Sequence, residues 1–154
     1  MRTEEIEKII TLLNTGTPDQ ISDALLGLLP DPDPRDMWYQ RARALTLALT
    51  AALCDLRDRG EIELTPQLLR ENLQLGKGQE GPGLIPLHLR ALNGGMSEEA
   101  TRQLRGLVET LPGFSLQAAL RGEGQPARTT EQTGYLTMQR TKPVGMIVDE
   151  LGLS

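Results

Sequence analysis

Apolar side chains recur along this chain at helical rather than strand spacing. Ile6, Ile9, Ile10 and Leu13 fall at i, i+3, i+4 and i+7, which predicts a short amphipathic helix over 3–14. Thr17 followed by Pro18 is an N-cap with proline at the first helical position, and Ile21, Ala24, Leu25 and Leu28 give the helix it opens a buried face. With Asn14-Thr15-Gly16 between them, the two segments read as a helical hairpin. The stretch "LPDPDPRD" at 29–36 then interrupts, because repeated proline forbids helix and favours an extended linker.

The longest predicted element runs over 35–59. Its seam is Trp38, Ala42, Leu45, Leu49, Ala52, Leu53 and Leu56, with Gly60 placed to terminate it and Arg41, Arg43, Asp55, Asp58 and Arg59 mostly off the seam. A short helix capped by Thr65-Pro66 follows, turning Leu68, Leu69 and Leu73 inward. "GKGQEGPG" at 76–83 is a flexible loop by composition. Pro86 to Leu92 forms another short helix, stopped by Asn93-Gly94-Gly95. Ser97 caps a helix with Glu98 and Glu99 in its first turn and Leu104, Leu107, Val108 and Leu111 on its apolar face. "LPGF" at 111–114 ends it, and Ser115 caps a further turn or two through Leu120. After the polar loop 121–128, Thr129 or Thr130 caps a last helix with Tyr135 and Met138 on one face and a kink or end near Pro143. The expectation is an all-α, compact bundle of about six to seven helices around one long central helix. Residues 1–30 are a hairpin whose packing on the main body, 35–152, is left open.

Composition agrees: aromatic residues are 3% of the 154, and β-branched clusters are scarce. The formal charge of −5 and a pI near 4.9 argue against coating of nucleic acid by the chain as a whole. Nothing approaches the apolar run needed to cross a bilayer, and the first residues have no signal-peptide core. A single cysteine, Cys54, excludes an intrachain disulfide and a multi-cysteine metal site, and a reducing, cytoplasmic setting is expected.

Candidate chemistry is thin. "GKGQEG" lacks the glycine order and the Ser or Thr of a phosphate-binding loop. His88 lies between leucines with no second His or Cys to share a metal, which favours a surface or packing role. Cys54 is expected to be a small buried hydrophobe with no basic partner within one helical turn. Glu98-Glu99 and Asp149-Glu150 are adjacent pairs whose members diverge by about 100° on a helix, so a solvated face is favoured over acid/base pairing. Trp38 and Tyr39 are expected in packing rather than base stacking. No catalytic, cofactor or metal site is assigned, and the chain is not expected to be an enzyme by itself. Arg121 and Arg128, with Arg140 and Lys142 beyond them, are the candidate basic patch for phosphates or an acidic partner; scattered solubilising charge is the competing explanation.

Three stretches carry a family resemblance: "MWYQRARALTLALTAALCDLRDRGEIELTPQLLRENLQL" (37–75), "LPGF" (111–114) and "TTEQTGYLTMQRTKPVGMIVDELG" (129–152), with "GYLTMQ" (134–139) the most specific piece. Together they resemble the all-α domain of conjugative type IV secretion coupling proteins, the TraD/TrbC-like ATPase family. Departures are Arg140, where the family often has an aromatic or aliphatic residue, and Pro143, which interrupts a helix the family tends to continue. The resemblance implies an insertion into a RecA-like ATPase motor that is anchored at the bacterial inner membrane. It implies a domain at the cytoplasmic entrance of the ring, recruiting a relaxase, an accessory relaxosome protein or DNA for conjugative transfer. Absence of Walker motifs and membrane helices is what such an insertion, running from Met1 to Ser154, is expected to show. The alternative is a free-standing helical DNA-binding or regulatory protein, which would want a basic recognition helix.

Overall fold

A computed structural model describes residues 3–28, 35, 37–126 and 129, with Trp38 described for its backbone alone. Among the described residues the fold is all-helical, with seven helices: α1 (Thr3–Thr15), α2 (Pro18–Leu26), α3 (Met37–Asp58), α4 (Pro66–Glu71), α5 (Leu84–Leu92), α6 (Glu98–Val108) and α7 (Leu116–Leu120). The last predicted helix, with Pro143, lies outside the described residues except for Thr129, one of its two candidate caps.

Short-range chemistry fixes most helix starts. Thr17 and Gln20 form a reciprocal capping box: the Thr17 hydroxyl accepts from the Gln20 N–H at 3.2 Å, and the Thr17 N–H donates to Gln20 Oε1 at 3.0 Å. Thr65, Ser97 and Ser115 each accept the backbone N–H three residues on, at 3.1, 3.2 and 3.1 Å. Helix α5 begins at Leu84, two residues earlier than the sequence reading, with Pro86 inside its first turn. Proline costs nothing there, since first-turn N–H groups have no intrahelical acceptor.

Helix α3 is the centre. The predicted seam is buried at Ala42, Leu45, Leu49, Ala52, Leu53 and Leu56, but so are Ala48, Ala51 and Cys54, together with Thr46 and Thr50. One face does not describe it, because α2 and α6 both pack on it. The two threonines tolerate burial by donating back to carbonyls one turn earlier, Thr46 to Ala42 O and Thr50 to Thr46 O, each at 2.8 Å. Ser22 Oγ of α2 lies 3.0 Å from Thr50 Oγ1, a polar tie inside the apolar contact.

The principal packing partners form a row: α1 on α2, α2 on α3, α3 on α6, α6 on α5, and α5 on α7, with α4 joined to α3. Ile9, Leu13, Ile21, Leu25 and Leu26 of the hairpin belong to the same buried cluster as Leu49, Leu53, Ile85, Leu89 and Leu104. Tyr39 is partly buried against that cluster.

The glycine-rich loop 76–83 is held in place rather than merely bridging two helices. Leu84 and Ile85 N–H donate to the carbonyls of Gln74 and Leu75 at 2.9 and 2.8 Å. Asn72 closes the loop, its Oδ1 accepting from the Gly83 N–H at 2.9 Å while its amide donates to Leu68 O at 2.9 Å. Gly83 adopts φ +129°, and a Cβ there would sit 2.9 Å from Gly76 Cα, so this crossing needs glycine.

Candidate functional site

The surface around α7 is where the sequence places the candidate basic patch. Arg121 ends α7, its N–H bonded to Gln117 O at 3.1 Å. Its guanidinium is 63% exposed, reaching Gln117 Oε1 at 3.5 Å and facing Glu123 Oε2 at 4.0 Å. Arg121 is thus available to solvent but already shares its charge with a neighbouring carboxylate, a weak surface pair. Arg128, Arg140 and Lys142 lie outside the described residues, so the described structure brings Arg121 together with no other member of the patch. Asp149 and Glu150 lie outside them too.

The loop after α7 has a defined course. Gln125 bridges both backbone groups of Ser115, accepting its N–H and donating to its carbonyl at 2.8 Å each. Thr129 is fully buried and donates its hydroxyl to Pro112 O at 2.6 Å. The two polar loops meet where a Cβ on Gly78 would lie 3.2 Å from Gly122 Cα. A shallow groove of about 570 Å³ runs beside that contact, with Lys77, Glu80 and Gln125 on its rim. A second open groove of about 810 Å³ follows the α5–α6 turn, lined by Leu92 and Met96 and edged by Glu98, Glu99, Arg102 and Arg105.

Charge on α6 is self-compensated. Arg102 pairs with Glu99, and Arg105 with Glu109 at 3.1 Å. The Arg102 hydrogen bond, helped by one from Gln103, holds the Glu99 carboxyl below its ordinary pKa. Glu98 and Glu99 do not act as a carboxylate pair: Glu99 turns to residues three and four positions further along.

Three polar side chains, His88 fully buried and Arg57 and Asp55 partly so, have roles that adjacent sequence does not announce. Arg57 of α3 donates to Leu13 O at 3.0 Å and Gly16 O at 2.8 Å, closing the C-terminal end of α1. Asp55 accepts from Arg59 at 2.9 Å and from the Ser97 N–H at 3.3 Å, linking α3 to the start of α6. His88 is fully buried, with Glu109 Oε2 3.6 Å from its Nε2 and the Phe114 ring edge-on at 6.3 Å. Burial pushes the His88 pKa below its ordinary value against the opposing pull of Glu109.

Cys54 is buried as expected, and burial raises its thiol to about 11. The sequence reading that it has no basic partner within a turn is corrected: Arg57, three residues on, lowers that value, but desolvation outweighs it. The guanidinium is aimed at the end of α1, so it does little to create a reactive thiolate.

Among the described residues no group of three or more His, Cys, Asp or Glu side chains is arranged to hold a metal ion. None of their helices is long and apolar enough to cross a membrane. Comparison of the chain with protein-family models, with curated proteins and with solved structures finds no match in any of the three.

Proposed function

We propose that this chain is the cytoplasmic all-α domain of a conjugative type IV coupling protein, recruiting a relaxase, an accessory relaxosome protein or DNA to the motor. The supporting observation is the order of elements in the stretches that carry the resemblance. The long α3 opens with Met37-Trp38-Tyr39 and ends at a polar turn, and the short leucine-rich α4 follows. The "LPGF" turn then lies beside Thr129, at the start of the third stretch. In this reading the domain has no chemistry of its own and the ATPase belongs to the parent protein. Arg121, Arg128, Arg140 and Lys142 are its candidate contact residues.

The free-standing DNA-binding reading would use α5, the 93–97 turn and α6 as a helix-turn-helix. Helix α6 would then be the recognition helix, but Arg102 and Arg105 are already paired with carboxylates. Such a face lacks the basic excess that phosphate contacts require.

The test is a titration of the folded chain with the relaxase and accessory proteins of its own conjugative element, alongside anisotropy of labelled single- and double-stranded DNA at two salt concentrations. Saturable binding to a relaxosome protein, or salt-sensitive DNA binding weakened in the Arg121→Ala, Arg128→Ala double variant, supports the reading. A folded chain that binds none of them refutes it. A tight symmetric dimer selective for a palindromic duplex establishes the alternative.

A further inference from the structure

His88 is the one histidine of the chain, and its side chain is 0% exposed. Buried polar side chains nearly always find a hydrogen-bond partner. Among the described residues neither Nδ1 nor Nε2 has one. The Glu109 carboxylate stands off at 3.6 Å and is engaged by Arg105 at 3.1 Å. Beyond hydrogen-bond range, this is a poised contact rather than a made one. On another side the ring meets Phe114 edge-on, at an interplanar angle of 69°. Phe114 closes the 111–114 turn, which leads into α7 and carries the Pro112 carbonyl that holds Thr129. The packing under this turn therefore includes a titratable ring that no hydrogen bond from the described residues secures.

We propose that His88 is a proton-operated latch for the α7 end of the domain: the neutral imidazole seals the seam beneath residues 111–120, and the imidazolium releases it. The proton comes from solvent and is taken up by a ring nitrogen, giving an ion with two N–H donors, each wanting an acceptor. Closed, the site offers one carboxylate at a distance, already shared. Opened, it offers water and a free approach to Glu109. The charged groups acting on the ring are Glu109, which favours the proton, and Arg105, which opposes it, both from the end of α6. The 111–114 turn and α7 have no titratable side chain. Protonation is thus linked to opening: the open form binds the proton better, so opening grows as pH falls below the ordinary histidine range. This inference is independent of the function proposed above.

The experiment uses the intact chain. Its one imidazole gives a single assignable C2–H resonance, so NMR reads the titration directly. Hydrogen exchange of the Phe114 and Ala119 amides, bonded to Leu111 O and Ser115 O, reads local opening. Between about pH 7.5 and about pH 5.5, with intrinsic exchange rates corrected, opening at these amides should rise roughly tenfold relative to α3 amides. The His88→Gln variant should abolish the rise. If that variant does not fold, Glu109→Gln should move the imidazole midpoint further down. An imidazole midpoint at the ordinary value with unchanged protection would overturn the latch. So would an undiminished rise in His88→Gln, or equal loss of protection throughout α3.

Discussion

The Arg57 guanidinium, carried by α3, donates to the Gly16 carbonyl at 2.8 Å and thereby caps a helix that lies 41 residues earlier in the chain. Helix α1 has no basic residue in its own last turn, and Arg57 supplies that charge from outside, where it also suits the helix dipole. The side chain is 11% exposed, so its bonds are largely shielded from water.

Arg57→Ala should therefore cost about 1.5–3 kcal/mol, the range for hydrogen bonds made by a charged group. Arg57→Lys should recover only part of that, since an ammonium cannot span the same carbonyls with a planar fork. Urea denaturation of the three proteins checks this; equal midpoints would show that the clamp contributes nothing.

The Ser22–Thr50 tie predicts a coupling. Thr50 donates to the Thr46 carbonyl, leaving Ser22 as the donor between the two hydroxyls. Ser22→Ala should lose about 1 kcal/mol, and Thr50→Val a similar amount. The double variant should lose less than their sum by roughly 0.5–1 kcal/mol, measured as a double-mutant cycle.

Cys54 predicts a reporter of unfolding. Its thiol is pushed from 9.0 up to about 11 by burial, so the folded state prefers the protonated form. The associated stability is present below the unfolded value and is lost as pH rises through the window from 9.0 to about 11. At about pH 8, labelling by a chromogenic disulfide should be at least ~100-fold slower in the native chain than in urea. Comparable rates in both states would contradict the burial.

Glycine substitutions in the 76–83 loop should divide sharply. Gly83→Ala drives a Cβ to 2.9 Å from the Gly76 backbone at φ +129°, with a cost of roughly 3 kcal/mol or more. Gly81→Ala, at φ +84° with nothing within 4 Å, should cost only about 1 kcal/mol of backbone strain. Thermal melts of the two variants separate these outcomes.

Helix starts were legible because capping is a matter of a few adjacent residues: Thr17-Pro18, Thr65-Pro66, Ser97 and Ser115 all act within one turn. What periodicity could not show was the second buried side of α3, since Ala48, Ala51 and the two threonines become interior only through the joint packing of α2 and α6. The clamps were illegible for a related reason. Arg57 with Gly16, Asp55 with Ser97 and Asn72 with Gly83 are partners that only the tertiary arrangement brings together. For His88 the sequence left a surface and a packing role equally open, and its burial and approach to Glu109 follow from the crossing of α5 and α6. Of the candidate basic patch, the exposure of Arg121 accords with its polar loop, and its pairing with Glu123 was not anticipated.

The serial order of helix contacts bears on how the molecule comes apart. Where each element leans mainly on its neighbours in a row, disruption need not be all-or-none. It can begin at the outermost members, α1 and α7, and travel inward while α3 and α6 still hold. The five-residue α7, with Leu120 53% exposed, has the least to lose by detaching. Hydrogen-exchange lifetimes should then form a gradient along the row, longest in the middle, with the two rims exchanging through separate, cheaper excursions.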